Sequence, residues 1–421
     1  MNGTILDVII IGAGHAGLSA SYYLKHLGLE HIIFERGKIG ESWRSQRWDS
    51  FAMNTANRLN VLPGATYKGD KPDEFCLAEE FVTSLEEYVS SFQLPVSDSS
   101  NVLSVEKPGK SPFFNVTVSH DYDIPRNYSC WQLIIASGAL NEKKIPTFAS
   151  LISPDIKQLH ICDYRNPVQL PDGAVLVIGS AQSGCQVAED LMDAGRKVFL
   201  STSMVPRIPR RYRGKDIMDW LIESKFMDVR TSEVTDPEML SMKVPLLSGI
   251  GEYGHTISLQ YLARKGAVLL GKTEKAEGKN VFFQLNALAH MKFADDFAMT
   301  VKDMIDEFIL KDRIQAFEVD VDEADLPAVN TDCDTSITSL NLEEHNIKSI
   351  LWATGFNGNF SYIKLPVLDR EGQPKHHHGV TDVEGLYFLG CPWLRSRKSN
   401  LIYGIKDDAA FISDKVYSSL R

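Results

Sequence analysis

Glycines at positions 12, 14 and 17 follow the apolar run Val8 to Ile11 in the order G-x-G-x-x-G, and Gly179 and Gly184 bracket a second turn, GSAQSG, after Val175 to Ile178. Each glycine answers a different demand. The first permits a tight strand-to-helix turn, the second lets a pyrophosphate approach bare backbone, and the third lets helix and strand pack closely. A phosphate placed there meets unpaired N–H groups at the positive end of a helix dipole. Two such cradles in one chain predict two bound dinucleotides and a hydride passed from one to the other. Candidate contacts are Gly12, Ala13, Gly14, Ala16 and Gly17 in the first turn and Gly179, Ser180, Gln182, Ser183 and Gly184 in the second, where Ala181 replaces the middle glycine.

The residues that follow each turn differ. After the first, Leu18 to Leu27 reads as a helix stopped by Gly28, and His31 to Phe34 as a strand ending at Glu35 with Arg36 beside it. Glu35 lies 18 residues past Gly17, near the ~20 expected of a carboxylate that binds ribose hydroxyls. In the second unit Lys197 to Leu200 ends instead at Ser201-Thr202-Ser203, and Arg207, Arg210, Arg211 and Arg213 follow. Hydroxyls and guanidinium groups suit a 2′-phosphate, which an acid would repel. The contrast assigns FAD to the first site and NADPH to the second, through Ser201 and Arg207, with NADH left open. A solvated basic loop is the alternative for the arginine run.

Other elements must hold the two cradles together. Phe81, Leu85, Tyr88 and Phe92 fall at helical spacing, and strands are expected at Val102 to Glu106, Phe114 to Val118 and Gln132 to Ala136, the last running into Ala136-Ser137-Gly138. Prolines 146, 154, 167 and 171 punctuate a crossing into the second unit, where helices are expected at Asp216 to Ser224 and Phe297 to Leu310. The run Ile347 to Ala353 leads into Thr354-Gly355-Phe356, echoes Ala136-Ser137-Gly138, and is read as the return to the first unit. Leu386 to Leu389, ending at Gly390, and a helix from Asp407 to Ser419 close the chain. The expected fold is α/β, with two Rossmann-like domains: residues 1–160 and 335–421 bind FAD, and residues 165–330 form an inserted NAD(P)H-binding domain.

Composition narrows the partners. The 421 residues are 43% hydrophobic and 24% charged, ordinary for a globular chain of two or three domains. With 55 acidic against 44 basic residues, the net charge of −11 argues against a nucleic-acid surface. No apolar run reaches the ~18 residues of a membrane span, and the N-terminus enters a strand without a signal peptide, so the expected location is the cytoplasm. Cysteines 76, 130, 162, 185, 333 and 391 show neither C-x-x-C nor zinc-ligand spacing, which counts against disulfide reduction. His376-His377-His378 reads as a loop, because adjacent side chains diverge and no acid or cysteine joins them.

Taken in order, GAGHAG, FER, GESWRSQRWDSFAMNTANRLNVLPG, IASG, HICDY, VIGSAQSG, PRRYRGKD, ATGF and GLYFLGCPWL span nearly the whole chain. In these motifs the sequence resembles the flavin-containing monooxygenases, the group that includes Baeyer–Villiger and plant indole-pyruvate enzymes, and within it the short bacterial branch. The resemblance implies that the segment holding Ser42, Trp43 and Arg44 wraps the flavin ribityl and pyrophosphate, with Ala136, Ser137, Gly138, Thr354, Gly355 and Gly390 as further cofactor contacts. Asn54, nine residues before Pro63, matches the family asparagine that faces the flavin, although a polar turn would use the same residue. His160 and Tyr164 keep the spacing of the family's linking signature, but Pro154 and Ile156 stand at its Phe and Gly positions. A structural role for His160 is therefore favoured.

The implied reaction is reduction of FAD by NADPH, formation of a C4a-(hydro)peroxyflavin with O₂, and oxidation of a small organic substrate at nitrogen, sulfur or a carbonyl carbon. Two alternatives stand beside it: an NAD(P)H dehydrogenase or oxidase that inserts no oxygen, and a non-catalytic redox-sensing flavoprotein. Residues 249–284, including Tyr253, His255, Leu259, Tyr261 and Leu262, are expected to border the cleft and to favour a neutral or weakly polar substrate. A homodimer is the default assembly.

Overall fold

The computed structural model describes residues 5–109, 111–120, 124–242, 244–247, 254–327 and 336–421. Tyr253, Cys333 and the expected boundary at 330–335 lie outside them.

The first sheet grows from the most apolar run of the chain. Strand Ile5–Ile11 pairs in parallel with His31–Phe34 on one side and with Arg126–Ile135 on the other; Val96–Ser97 extends the first edge. Val8, Ile9 and Ile10 are fully buried, as expected of a strand covered on both faces. Each contributes about 1.5–3 kcal/mol by leaving water. Strand Arg126–Ile135 serves two partners in succession. Its first half closes an antiparallel meander with Phe114–His120 and Ser100–Glu106, and its second half takes Leu386–Phe388 in parallel. Helix His15–His26, which leaves the first turn, packs against the last helix, Ile405–Ser419.

The second sheet is wholly parallel, in the order Val268–Leu270, Val198–Ser201, Ala174–Ile178, Ile347–Trp352, Lys157–His160. This corrects two assignments. Ile347–Trp352, read as the return to the first unit, is the fourth strand of the second sheet. Lys157–His160, placed before that unit, is its edge strand. An apolar run buried on both faces carries no mark of which of two parallel sheets it enters. The outer limits of the second unit therefore move to Lys157 and Trp352.

The crossings between units lie side by side, because Glu142–Lys143 and Phe356–Asn357 pair as a short antiparallel clasp. The expected helix at 216–224 is present as Ile217–Glu223, started by the Asp216 carboxylate accepting from the Met218 amide. The expected helix at 297–310 is longer, Ala287–Asp312. Among the described residues no helix is long and apolar enough to cross a membrane.

Candidate functional site

A cleft of about 610 Å³ opens along the first turn. Its geometry separates the roles of the three glycines. Gly12 has φ +107°, and a Cβ there would stand 2.5 Å from the Ala136 carbonyl oxygen; a Cβ on Gly17 would stand 1.9 Å from the oxygen of Gly12. Both are required by the chain's own packing. Gly14 differs: it lines the cleft, and a Cβ on it would meet nothing within 4 Å. The helix that begins here has no side-chain cap, so its first amides are left for a ligand. Glu35, 7% exposed, closes the neighbouring strand. Its carboxylate accepts from the Ala13 amide at 2.8 Å and the Gly37 amide at 3.0 Å. Burial raises its pKa, and the two amides oppose the rise. A bare turn, uncapped amides and a carboxylate at the strand end fit the pyrophosphate and ribose of FAD.

Most of the expected first-site residues meet at this cleft. Gly12, Gly14, Ala16, Glu35, Arg36, Ser42, Trp43, Ala136, Ser137, Gly138 and Gly390 all line it. The Ser137 hydroxyl is within 2.9 Å of the Tyr362 hydroxyl, which also lines the wall.

Arg44 departs from expectation. It donates to the Ile39 carbonyl at 2.9 Å and pairs with Glu86, outside the cleft. The residue that shares the Trp43 face is Arg47, four positions on. No helical periodicity marked it, because the short helix ends at Ser45 and the chain bends at Gln46 before reaching Arg47.

His15 was also missed; its Nε2 is covered without a partner, and burial lowers its pKa to about 4. Thr354 and Gly355 do not line the cleft. The Thr354 hydroxyl donates to the Lys144 carbonyl, and the Gly355 carbonyl accepts from His160 Nε2 at 3.0 Å. His160 is 1% exposed, and its Nδ1 accepts from the Cys162 amide, an internal strut whose pKa burial lowers.

The second turn repeats the first. Gly179 has φ +109° and faces the Ala353 carbonyl as Gly12 faces that of Ala136, while Gly184 abuts the oxygen of Gly179. The helix Gln182–Asp193 likewise starts without a side-chain cap. Ser183, the second residue of that helix, is half-buried. The Ser180 hydroxyl accepts from the Ser203 amide, and the Gln182 side chain accepts from the Leu247 amide, both at 2.9 Å.

The proposed phosphate contacts turn inward instead. Ser201 is 2% exposed and donates to the Gly271 carbonyl. Arg207, also 2% exposed, pairs with Asp295 and Asp325. Arg210 pairs with Asp216, and Arg213 with Asp306. Neither a phosphate clamp nor a solvated loop describes Arg207, Arg210 and Arg213, whereas Arg211 is exposed. Asp295 and Asp306 lie on the helix Ala287–Asp312, so acids distant in sequence draw in Arg207 and Arg213, while Arg210 uses the nearby Asp216.

Asn54 does not line the cleft. Its side-chain oxygen accepts from Gln186 Nε2 at 2.9 Å, and its carbonyl accepts from Arg210 at 3.0 Å. It ties the first unit to the helix Gln182–Asp193. Asp190, one turn along that helix, accepts at 2.6 Å from both Ser50 and Tyr164. The His255 ring bonds Glu189 on the same helix, and Leu259 and Leu262 are core. His377 and His378 stack at 4.1 Å instead of diverging as expected, and among the described residues no cluster of histidine, cysteine or acid could hold a metal. Five cysteines are described and all are unpaired.

The chain matches the family model described as pyridine nucleotide-disulphide oxidoreductase over residues 9–235, and it belongs to that family. It is 30% identical over 418 residues to an uncharacterized CzcO-like oxidoreductase of Geobacillus kaustophilus, covering 98% of each chain. Against the probable indole-3-pyruvate monooxygenase YUCCA9 of Arabidopsis thaliana it is 25% identical over 287 residues, covering 65% of this chain and 66% of the relative. A flavin-containing monooxygenase from Stenotrophomonas maltophilia superposes with a TM-score of 0.64 at 17% identity, covering 99% of both chains. A bacillithiol disulfide reductase from Staphylococcus aureus gives 0.61 at 16% identity, covering 99% of this chain and all (100%) of the other. These relatives bear out the likeness to flavin-containing monooxygenases read from the motifs, and the structures share its two-unit α/β fold.

Proposed function

We infer that this protein is an FAD-dependent monooxygenase that uses NAD(P)H and O₂ on a small organic substrate. One observation carries the reading: two glycine turns of matching geometry, one opening on a cleft of about 610 Å³ whose middle glycine faces empty space. The first helix start would hold the pyrophosphate, Glu35 the ribose, and Trp43 a wall of the cleft. The second helix start would hold the nicotinamide dinucleotide. FAD, when bound, supplies hydride acceptance and the two-electron reaction with oxygen. The chain's own part is to position it and to keep water from the reacting end. NADPH remains the favoured coenzyme because no acid ends the strand Val198–Ser201; Ser201 and Arg207 do not contribute to that preference.

The oxidase reading draws support from Asn54, whose amide oxygen is engaged by Gln186 and which lies outside the cleft. Anaerobic reduction by NADPH, and separately by NADH, followed by rapid mixing with O₂ distinguishes the two. A transient absorbance unlike either oxidised or reduced flavin is expected. Direct return of oxidised flavin with stoichiometric hydrogen peroxide would establish the oxidase.

A further inference from the structure

Arg47 lines the cleft but is not explained by the chain's own packing of charges. Its guanidinium lies 4.9 Å from the Trp43 ring centre and 5.3 Å from that of Phe51, and it donates to the neighbouring Gln46 carbonyl at 2.9 Å. Among the described residues no carboxylate pairs with it. Arg207, Arg210 and Arg213 all have such partners. Burial without an acid lowers its pKa to about 10. A half-buried cation without a carboxylate is costly unless a ligand supplies the missing negative charge.

Resting on the FAD reading above, we propose that Arg47 is the charge partner of the flavin ring and holds its reduced form as an anion. The pyrophosphate already has its place at the uncapped helix start beside Gly14. Arg47 lies just past the helix Glu41–Ser45, where its carbonyl accepts from Arg165 of the second unit. A hydride brings two electrons and one proton to the ring, so the ring becomes an anion unless a second proton follows. A fixed guanidinium beside it removes the need for that proton. Arg36, Glu142, Glu35 and Glu41 also line the cleft, the last two accepting from backbone amides, while Arg165, a second cation, and Cys162 face Arg47 itself. Arg165 is bonded to the carbonyls of Ser45, Arg47 and Cys162, the Cys162 thiol is pushed up by burial, and His15 stays neutral down to about pH 4.

The test is the pH at which the photoreduced, FAD-loaded protein takes up the second proton, read by absorbance from pH 5 to 9. In R47Q that pH is expected to rise by about one to three units, the shift an adjacent opposite charge imposes, and R47K is expected to restore the native value. An unchanged titration in R47Q, with weaker FAD binding and a shallower salt dependence, would place Arg47 on the pyrophosphate and overturn the proposal. Should R47Q fail to fold, a native protein whose reduced ring protonates at or above the pH of free reduced flavin overturns it equally. Native protein that takes up no FAD at all would instead remove the functional reading on which this one stands.

Discussion

Gly14 is the member of its turn that its own chain does not require, and this separates binding from folding at one position. Gly14→Val places its side chain in open space at φ −81°, which any residue adopts. Its apo protein should unfold within about 0.5 kcal/mol of the native one, while FAD affinity by flavin fluorescence drops at least tenfold. Gly17→Ala drives a Cβ to 1.9 Å from a carbonyl oxygen and should cost about 1–3 kcal/mol or more. If both variants lost stability equally, the emptiness beside Gly14 would have no bearing on ligands.

Two further residues set opposing pH dependences. Asp408 is 1% exposed, and burial raises its pKa from 3.8 to about 6. The folded chain keeps that proton longer than the unfolded one, so stability is full below pH 3.8 and lost as pH rises through 6. His15 is lowered from 6.5 to about 4, so its stability is full above pH 6.5 and lost as pH falls towards 4. Each amounts to about 3 kcal/mol, and between pH 4 and 6 they offset. Asp408→Asn should uncover the histidine slope, giving stability that rises with pH by about 3 kcal/mol more than in the native protein across that range. Denaturant unfolding at pH 4.5, 6 and 7.5 checks this; parallel native and variant profiles would refute it.

At the scale of elements, the basic run after Ser203 acts as a set of pins. Arg207→Ala leaves Asp295 to the Gln260 amide and Asp325 to Lys302, and should cost about 3 kcal/mol, the lower end for breaking a buried pair. A coenzyme clamp would instead raise the KM for NADPH and leave urea unfolding unchanged. This run also shows where reading the sequence stops. His31–Phe34 was legible to the residue, and so were the turns beside Gly12 and Gly179, because apolar runs, glycines and a terminal acid are local signals. The partners of Arg207 were not legible, since Asp295 and Asp325 lie far along the chain and nothing near residue 207 marks them. Ile347–Trp352 was misplaced for the same reason: burial on both faces marks a parallel strand without naming its sheet. In the site, the Trp43 wall was legible, whereas Arg47 in place of Arg44 was not, because the chain leaves its short helix at Ser45 and bends before Arg47.

Across the whole molecule, side chains rather than sheet hydrogen bonds join the two units next to the cleft: Asn54 with Gln186, Ser50 with Asp190, and Arg58 with Asp219. Beyond them stands the backbone clasp, in which Lys143 is the register partner of Phe356 and Glu142 that of Asn357. Since the chain departs and comes back at one spot, a two-residue Asn-Gly reverse turn linking Lys143 to Phe356 would make an ordinary hairpin and delete everything between. No strand of the remaining sheet would have to move. Such a miniature should still turn yellow with added FAD and ignore pyridine nucleotides altogether, in effect a flavin carrier cut free from its reductase half.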